Sequence, residues 1–182
     1  MHNTTYRDYG TEYTAFYPVG TERAALFPYY SREVQEKILH AVYPSKLFSD
    51  SLSDAELQDA IVVLRSSLKN GLLSREQLLN EIWRYAADAL KDAEDDFQHL
   101  IQLEAVCQLV GYSTETIIRM YFCQKPKQWC EYFASMKKCS ENKLILLLKL
   151  LDLSRPEEQE AFQILARLLS ESENGKAKVK QF

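Results

Sequence analysis

Apolar residues recur every three or four positions through most of the chain, a period that predicts helix rather than strand. Leu57, Ile61, Leu64 and Leu68 form one such stripe, opened by Ser53-Asp54-Ala55-Glu56 and closed by Asn70-Gly71. In that opening box the serine oxygen takes an orphaned amide while the glutamate reaches back, and the glycine supplies the left-handed turn that stops the helix. Ser74-Arg75-Glu76-Gln77 opens the next helix in the same way. From residue 75 to about 110 there is no Gly or Pro, and Leu79, Ile82, Ala86, Leu90, Ala93, Phe97 and Leu100 keep the period. The pattern predicts one long central helix of roughly 54 Å at 1.5 Å per residue, with a break near 92–96 as its alternative. Gly111 ends it. Shorter helices are predicted over 114–124, 127–137, 141–153 and 156–171, the last behind a third box, Ser154-Arg155-Pro156-Glu157.

The expected fold is therefore all-α, a compact domain of about six to seven helices over 31–172. The two ends read differently. Residues 1–30 concentrate Tyr6, Tyr9, Tyr13, Phe16, Tyr17, Phe27, Tyr29 and Tyr30, while Gly10, the threonines and Pro18 oppose a stable helix. This stretch reads as an aromatic N-terminal arm that packs along its own body or docks on a partner, since tyrosine combines apolar area with one polar handle. Residues 173–182 read as a flexible polar tail carrying Lys176, Lys178 and Lys180. The 144–153 segment is apolar nearly all round, so it belongs in a core or under another chain, a second copy included. Paired with Ala161, Phe162, Leu165, Leu168 and Leu169, it predicts an αα-hairpin.

With 182 residues and a net charge of −4, the chain is no polycation that coats nucleic acid. The charge is unevenly spread, −6 over residues 51–104 and +4 over 105–150. Such neighbouring segments of opposite sign attract each other within one fold or meet partners separately. Cys107, Cys123, Cys130 and Cys139 sit within 33 residues, in a stretch that otherwise reads as helix, and no charged and apolar leader opens the chain. A cytoplasmic, reducing compartment is the expectation, with export by a specialised system invisible to this reasoning. The longest apolar stretch is about half the ~20 residues that a membrane helix needs, so no membrane is expected.

One local pattern points to DNA. Cys107 stands four residues before the turn glycine Gly111, Ser113 caps a second helix, and Ile117 falls where two helices must touch. Gly111-Tyr112-Ser113, followed by Ile118 and Phe122, resembles the second helix-turn-helix unit of AraC-type regulators over about 20 residues. Where that family has basic residues after the helix, Cys123 and Gln124 stand here. The resemblance implies DNA contacts from Thr114, Glu115, Arg119, Lys125 and Lys127, the lysines meeting phosphates.

Catalytic chemistry is thinly supplied. His2, His40 and His99 are isolated, no Gly-x-Ser-x-Gly elbow is present, and no glycine-rich loop could cradle phosphate. Cysteine spacings of six and eight residues do not match a structural zinc site. Asp92, Glu94, Asp95 and Asp96 point in different directions on a helix, which reads as a solvated face. The sequence therefore predicts no enzyme, no cofactor and no metal. The expected function is a protein-binding module: an adaptor, chaperone-like factor, inhibitor or regulatory subunit that uses helical surfaces and the arm residues Tyr6, Tyr9, Tyr13, Phe16, Tyr17, Tyr29 and Tyr30. The alternative is a helix-turn-helix regulator centred on 105–138.

Overall fold

A computed structural model of the chain describes residues 24–49, 51–136 and 138–172. Among them helix is the only regular structure. A 3₁₀ turn (Phe27–Tyr29) precedes α1 (Arg32–Val42), α2 (Ser45–Ser49), α3 (Asp54–Lys69), α4 (Arg75–Lys91) and α5 (Gln98–Gln102). There follow α6 (Glu104–Leu109), α7 (Thr114–Phe122), α8 (Pro126–Ser135), α9 (Glu141–Leu150) and α10 (Pro156–Ser170). The all-α expectation stands, with more and shorter helices than the six to seven predicted.

The long central helix does not form. α4 stops at Lys91 because the acidic run beyond it turns its carboxylates onto the backbone. Asp92 Oδ1 accepts from the Glu94 amide at 3.0 Å, Asp95 Oδ1 from Phe97 at 2.6 Å, and Asp96 Oδ1 from Gln98 at 3.1 Å. These local bonds compete with the helical ladder, which is why Asp disfavours helix interiors. Phe97 takes a left-handed φ of 65° and buries its ring. The carbonyls left over at the end of α4 go to the ammonium of Lys143, a fully buried side chain on α9. Lys143 Nζ donates to Ala89 at 2.6 Å, to Leu90 at 3.4 Å and to Asp92. It also lies 5.0 Å from the centre of the Phe97 ring and 5.7 Å from that of Phe133. A cation at a helix C-terminus, faced by two aromatic rings, meets the negative end of the dipole in a dry setting.

The other punctuation is mixed. Ser53 and Glu56 make the full capping box, and Ser74 with Gln77 makes the reciprocal pair of bonds. Gly71 follows α3 at φ 80°, as the left-handed stop requires. The third box is absent. Ser154 donates its hydroxyl to Asp152 Oδ1 at 2.7 Å, and α10 starts at an uncapped Arg155. Pro156 at the first helical position removes one of the amides a cap would have served.

The contacts group into two compact units. One holds the chain up to Ile82 together with Ala105–Gly111; the other holds Trp83–Glu104 and the chain from Tyr112 onward. In the first unit, α1 packs on α2 and α3, and the 3₁₀ turn packs on α3 through the fully buried Phe27. Gln35, itself buried, ties these pieces together: its Nε2 donates to the Phe27 carbonyl at 3.0 Å, and its Oε1 accepts from Asn70 Nδ2 at 3.0 Å. Asn70 Oδ1 in turn accepts from the Leu72 amide. Gln35→Leu keeps the volume and strands the Phe27 carbonyl and the Asn70 amide. It is expected to lower stability by on the order of 1–2 kcal/mol, read from the urea midpoint.

In the second unit, α10 lies along α8 and α9, and α7 packs on α9. The predicted hairpin of α9 and α10 is present. Leu144, Leu147 and Leu148 are buried, whereas Ile145, Leu146 and Leu150 are half-buried, so this over-apolar helix is held mainly within its own unit. No helix of the described residues is long and apolar enough to cross a membrane.

Candidate functional site

The residues expected to read DNA are placed by α7, the turn after it and the first turn of α8. Thr114 opens α7 and is buried, its amide donating to Glu104 Oε2 at 2.7 Å. Glu115 and Lys125 are exposed. Lys127 pairs with Glu160 at 3.2 Å on the surface. Tyr121 is packed against Trp83, ring centres 5.2 Å apart. Ile117, Ile118 and Phe122 are buried, as their apolar character demands. The division between the two units falls between Gly111 and Tyr112, inside the presumed helix-turn-helix.

Arg119 is committed to the interior of its own unit. Its Nη1 donates to the Leu150 carbonyl and sits 2.9 Å from Glu158 Oε1, while Nη2 reaches Oε2 at 3.3 Å. Glu158 is 2 % exposed and also accepts from the Asp152 amide at 2.9 Å and the Cys123 thiol at 3.4 Å. Burial pushes the Glu158 carboxyl upward; the Asp152 amide, the Arg119 guanidinium and the Cys123 thiol together bring it below its ordinary value. The hydrogen bond to Glu158 raises Arg119 above its own. This bidentate, charge-assisted pair joins α7 to α10 and to the end of α9. It ties three elements of the unit together through an arginine side chain that is still 30 % exposed.

Burial holds three of the cysteines toward the protonated thiol. Burial drives Cys123 and Cys130 up to about 12, and Cys139 is also raised by burial. A nucleophilic or metal-binding cysteine needs the opposite shift. Cys130 donates to the Ala161 carbonyl at 3.6 Å, as a packing residue between α8 and α10. The His99 ring packs against Tyr85, whose phenol burial and the Asp95 charge push to about 12. Among the described residues there is no group of three or more His, Cys, Asp or Glu placed to hold a metal ion.

Of the aromatic arm, Tyr6, Tyr9, Tyr13, Phe16 and Tyr17 lie outside the described residues, as does the tail 173–182. The remaining two differ. Tyr30 is half-buried, and Tyr29 is 83 % exposed at the outer corner of the 3₁₀ turn. Leu26, beside it in sequence, is 50 % exposed. Pro28 of the same turn forms one wall of a groove of about 520 Å³ whose other side is α3, through Val62, Arg65, Ser66, Lys69 and Asn70. Asn70 and the Phe27 carbonyl are both held by Gln35, so the two walls are fixed to each other before anything binds.

Sequence reasoning singled out Tyr29 but missed the α3 side. Val62, Arg65, Ser66, Lys69 and Asn70 follow a 3-1-3-1 spacing, a single helical face offset from the Leu57–Leu64 stripe. That spacing was visible; the proline wall opposite it required the turn to fold back onto α3. No family model, curated protein or solved structure matches this chain.

Proposed function

We propose that the chain is a non-catalytic protein-binding module that engages its partner through the Leu26–Tyr29 corner and the adjoining face of α3. The observation that carries this reading is an aromatic residue 83 % exposed on a turn that is itself anchored by a buried phenylalanine and a buried glutamine. Tyrosine on an anchored turn has few rotatable bonds to order on binding and supplies much contact area, which is the profile of an interface anchor. Thiols pushed toward the protonated form support a non-enzymatic role. The DNA reading draws less support, since Arg119, Lys127 and Thr114 are engaged within the protein.

The test is affinity capture from native-host lysate with nuclease present, comparing wild type with Leu26→Ser/Tyr29→Ala. Both substitutions are at exposed positions, so the far-ultraviolet spectrum and melting curve are expected to be unchanged. A stoichiometric protein retained by wild type and lost by the variant supports the reading. A partner held equally by both, or recovery of nucleic acid alone, overturns it.

A further inference from the structure

We infer that the groove between the 3₁₀ turn and α3 receives an acidic segment of a partner protein that inserts an apolar side chain; the inference rests on the binding-module reading and specifies its partner chemistry. The groove joins an apolar lining to cations of one sign. Pro28 and Val62 are its apolar lining residues, and Leu26 and Tyr29 are exposed apolar neighbours of Pro28 in the turn. Arg65 and Lys69 stand one turn apart on the α3 wall, and among the described residues no acidic side chain lines the groove. Neither cation has a carboxylate partner among the described residues. Arg32, the nearby cation of α1, is by contrast engaged with Glu36 at 3.9 Å and with the Asn70 carbonyl.

The charge setting matters because the stretch of the same unit that contains this face, residues 51–82, carries five acidic side chains against three basic ones. The α3 acids lie elsewhere: Asp54 and Glu56 cap its start, and Asp59 is buried. A local pair of cations on a negative background selects for carboxylates at short range while the wider field repels other acidic surfaces. Lys69 also sits in the last turn of α3, where a cation already completes the helix dipole. A bound carboxylate there is therefore held chiefly by the two side chains, with no amide donors from a helix start. The groove's volume falls within the ~300–1,000 Å³ typical of small-ligand and side-chain pockets. Ser66 and Asn70 add polar groups on the same wall that can meet a peptide backbone. Nucleic acid is a poorer fit, because two cations beside an apolar lining provide little of the phosphate track such binding uses.

The experiment uses the full chain, isotopically labelled, titrated with a twelve-residue probe peptide that places four glutamates around leucine and phenylalanine on one helical face. A matched probe carries lysine at the four acidic positions. Expected are amide shifts centred on Val62, Arg65, Ser66 and Lys69, clearly tighter binding of the acidic probe, and weakening as salt is raised. Arg65→Glu/Lys69→Glu is expected to cost about tenfold or more in affinity for the acidic probe. Both side chains are on the surface, and a preserved melting curve verifies the fold. Equal binding of the two probes, shifts centred elsewhere, absence of binding, or displacement of the acidic probe by duplex DNA overturns the inference.

Repeating the lysate capture with the charge-reversed variant separates the two claims. A partner lost with Leu26→Ser/Tyr29→Ala but kept with Arg65→Glu/Lys69→Glu leaves the module reading standing and removes the acidic-partner inference. A partner kept by both variants removes both.

Discussion

Arg119→Ala is expected to destabilise the unit that contains it by about 3 kcal/mol, because it leaves the buried Glu158 carboxylate without its guanidinium. The figure sits at the lower end of the range for breaking a buried pair. Arg155 Nε remains 3.7 Å from Glu158 Oε2, and the Asp152 amide still donates. Urea unfolding followed by circular dichroism checks it, with native-state hydrogen exchange of α7 and α10 amides to localise the loss. A loss below about 0.5 kcal/mol, the level of an exposed ion pair, would mean that solvent screens this bridge. Removing both partners, Arg119→Met with Glu158→Leu, is expected to recover much of the loss, since no charge is then left buried.

The same bridge sets a pH dependence. The Glu158 carboxyl lies below its ordinary value in the folded chain, so the unfolded chain binds the extra proton as the solution is acidified. Its contribution is full above the ordinary glutamate value and is lost as pH falls through the folded one. The wild type is therefore expected to lose stability on acidification more steeply than Glu158→Gln. Arg119→Ala has a further consequence for the DNA reading: any lost binding would reflect lost structure. Lys125→Ala, at an exposed position, is the informative substitution for that alternative.

Lys143→Met is expected to cost about 3 kcal/mol by leaving the Ala89, Leu90 and Asp92 carbonyls without their donor. Replacing a buried charge with an apolar isostere is often harmless when both partners go. Here the partners are main-chain carbonyls at the end of α4 and cannot be removed. Methionine keeps contact with Phe97 and Phe133 and so isolates the polar part of the loss. Thermal melting and urea midpoints check the magnitude; a stability equal to wild type would show that water replaces the ammonium at no cost. Burial lowers the Lys143 ammonium below its ordinary value, against the pull of Asp95, Cys139, Asp92 and Asp96. The unfolded chain then binds more protons between the folded and ordinary values, so this lysine's contribution grows with rising pH across that window. The deficit of Lys143→Met against wild type is expected to widen on going alkaline.

Local chemistry explains which parts of the fold could be read in advance. The α3 boundaries followed from Ser53, Glu56 and Gly71, whose roles depend only on neighbours three residues away or on backbone φ. The α9–α10 hairpin followed from apolar period and a short polar connection. The end of α4 was named only as an alternative. Asp92, Asp95 and Asp96 favour leaving a helix, but the donor that satisfies the abandoned carbonyls stands on α9, some fifty residues later. Ser154 misled for the converse reason. It had the right spacing for a cap, yet the helix begins one residue later with Arg155 at the cap position, and the serine hydroxyl donates to Asp152 instead.

Interaction surfaces divide in the same way. Arg119 looked like a base-contacting residue because a helix-turn-helix register puts a polar side chain there; whether that side chain faces solvent is decided by Glu158, 39 residues on. Tyr29 could be singled out as an aromatic residue, whereas its exposure, and the place of its neighbour Pro28 opposite Arg65 and Lys69, depend on the turn folding onto α3.

By itself the sequence determined the helical class, most helix starts and stops, and the apolar faces that must be buried, because hydrophobic period, caps and glycine turns act over three to seven residues. Tertiary structure alone decided where Lys143 and Arg119 spend their charge, which thiols burial holds protonated and which side chains of the described residues stay exposed. Those outcomes depend on partners tens of residues apart, and their energies come from desolvation, which exists only once the chain has closed around them.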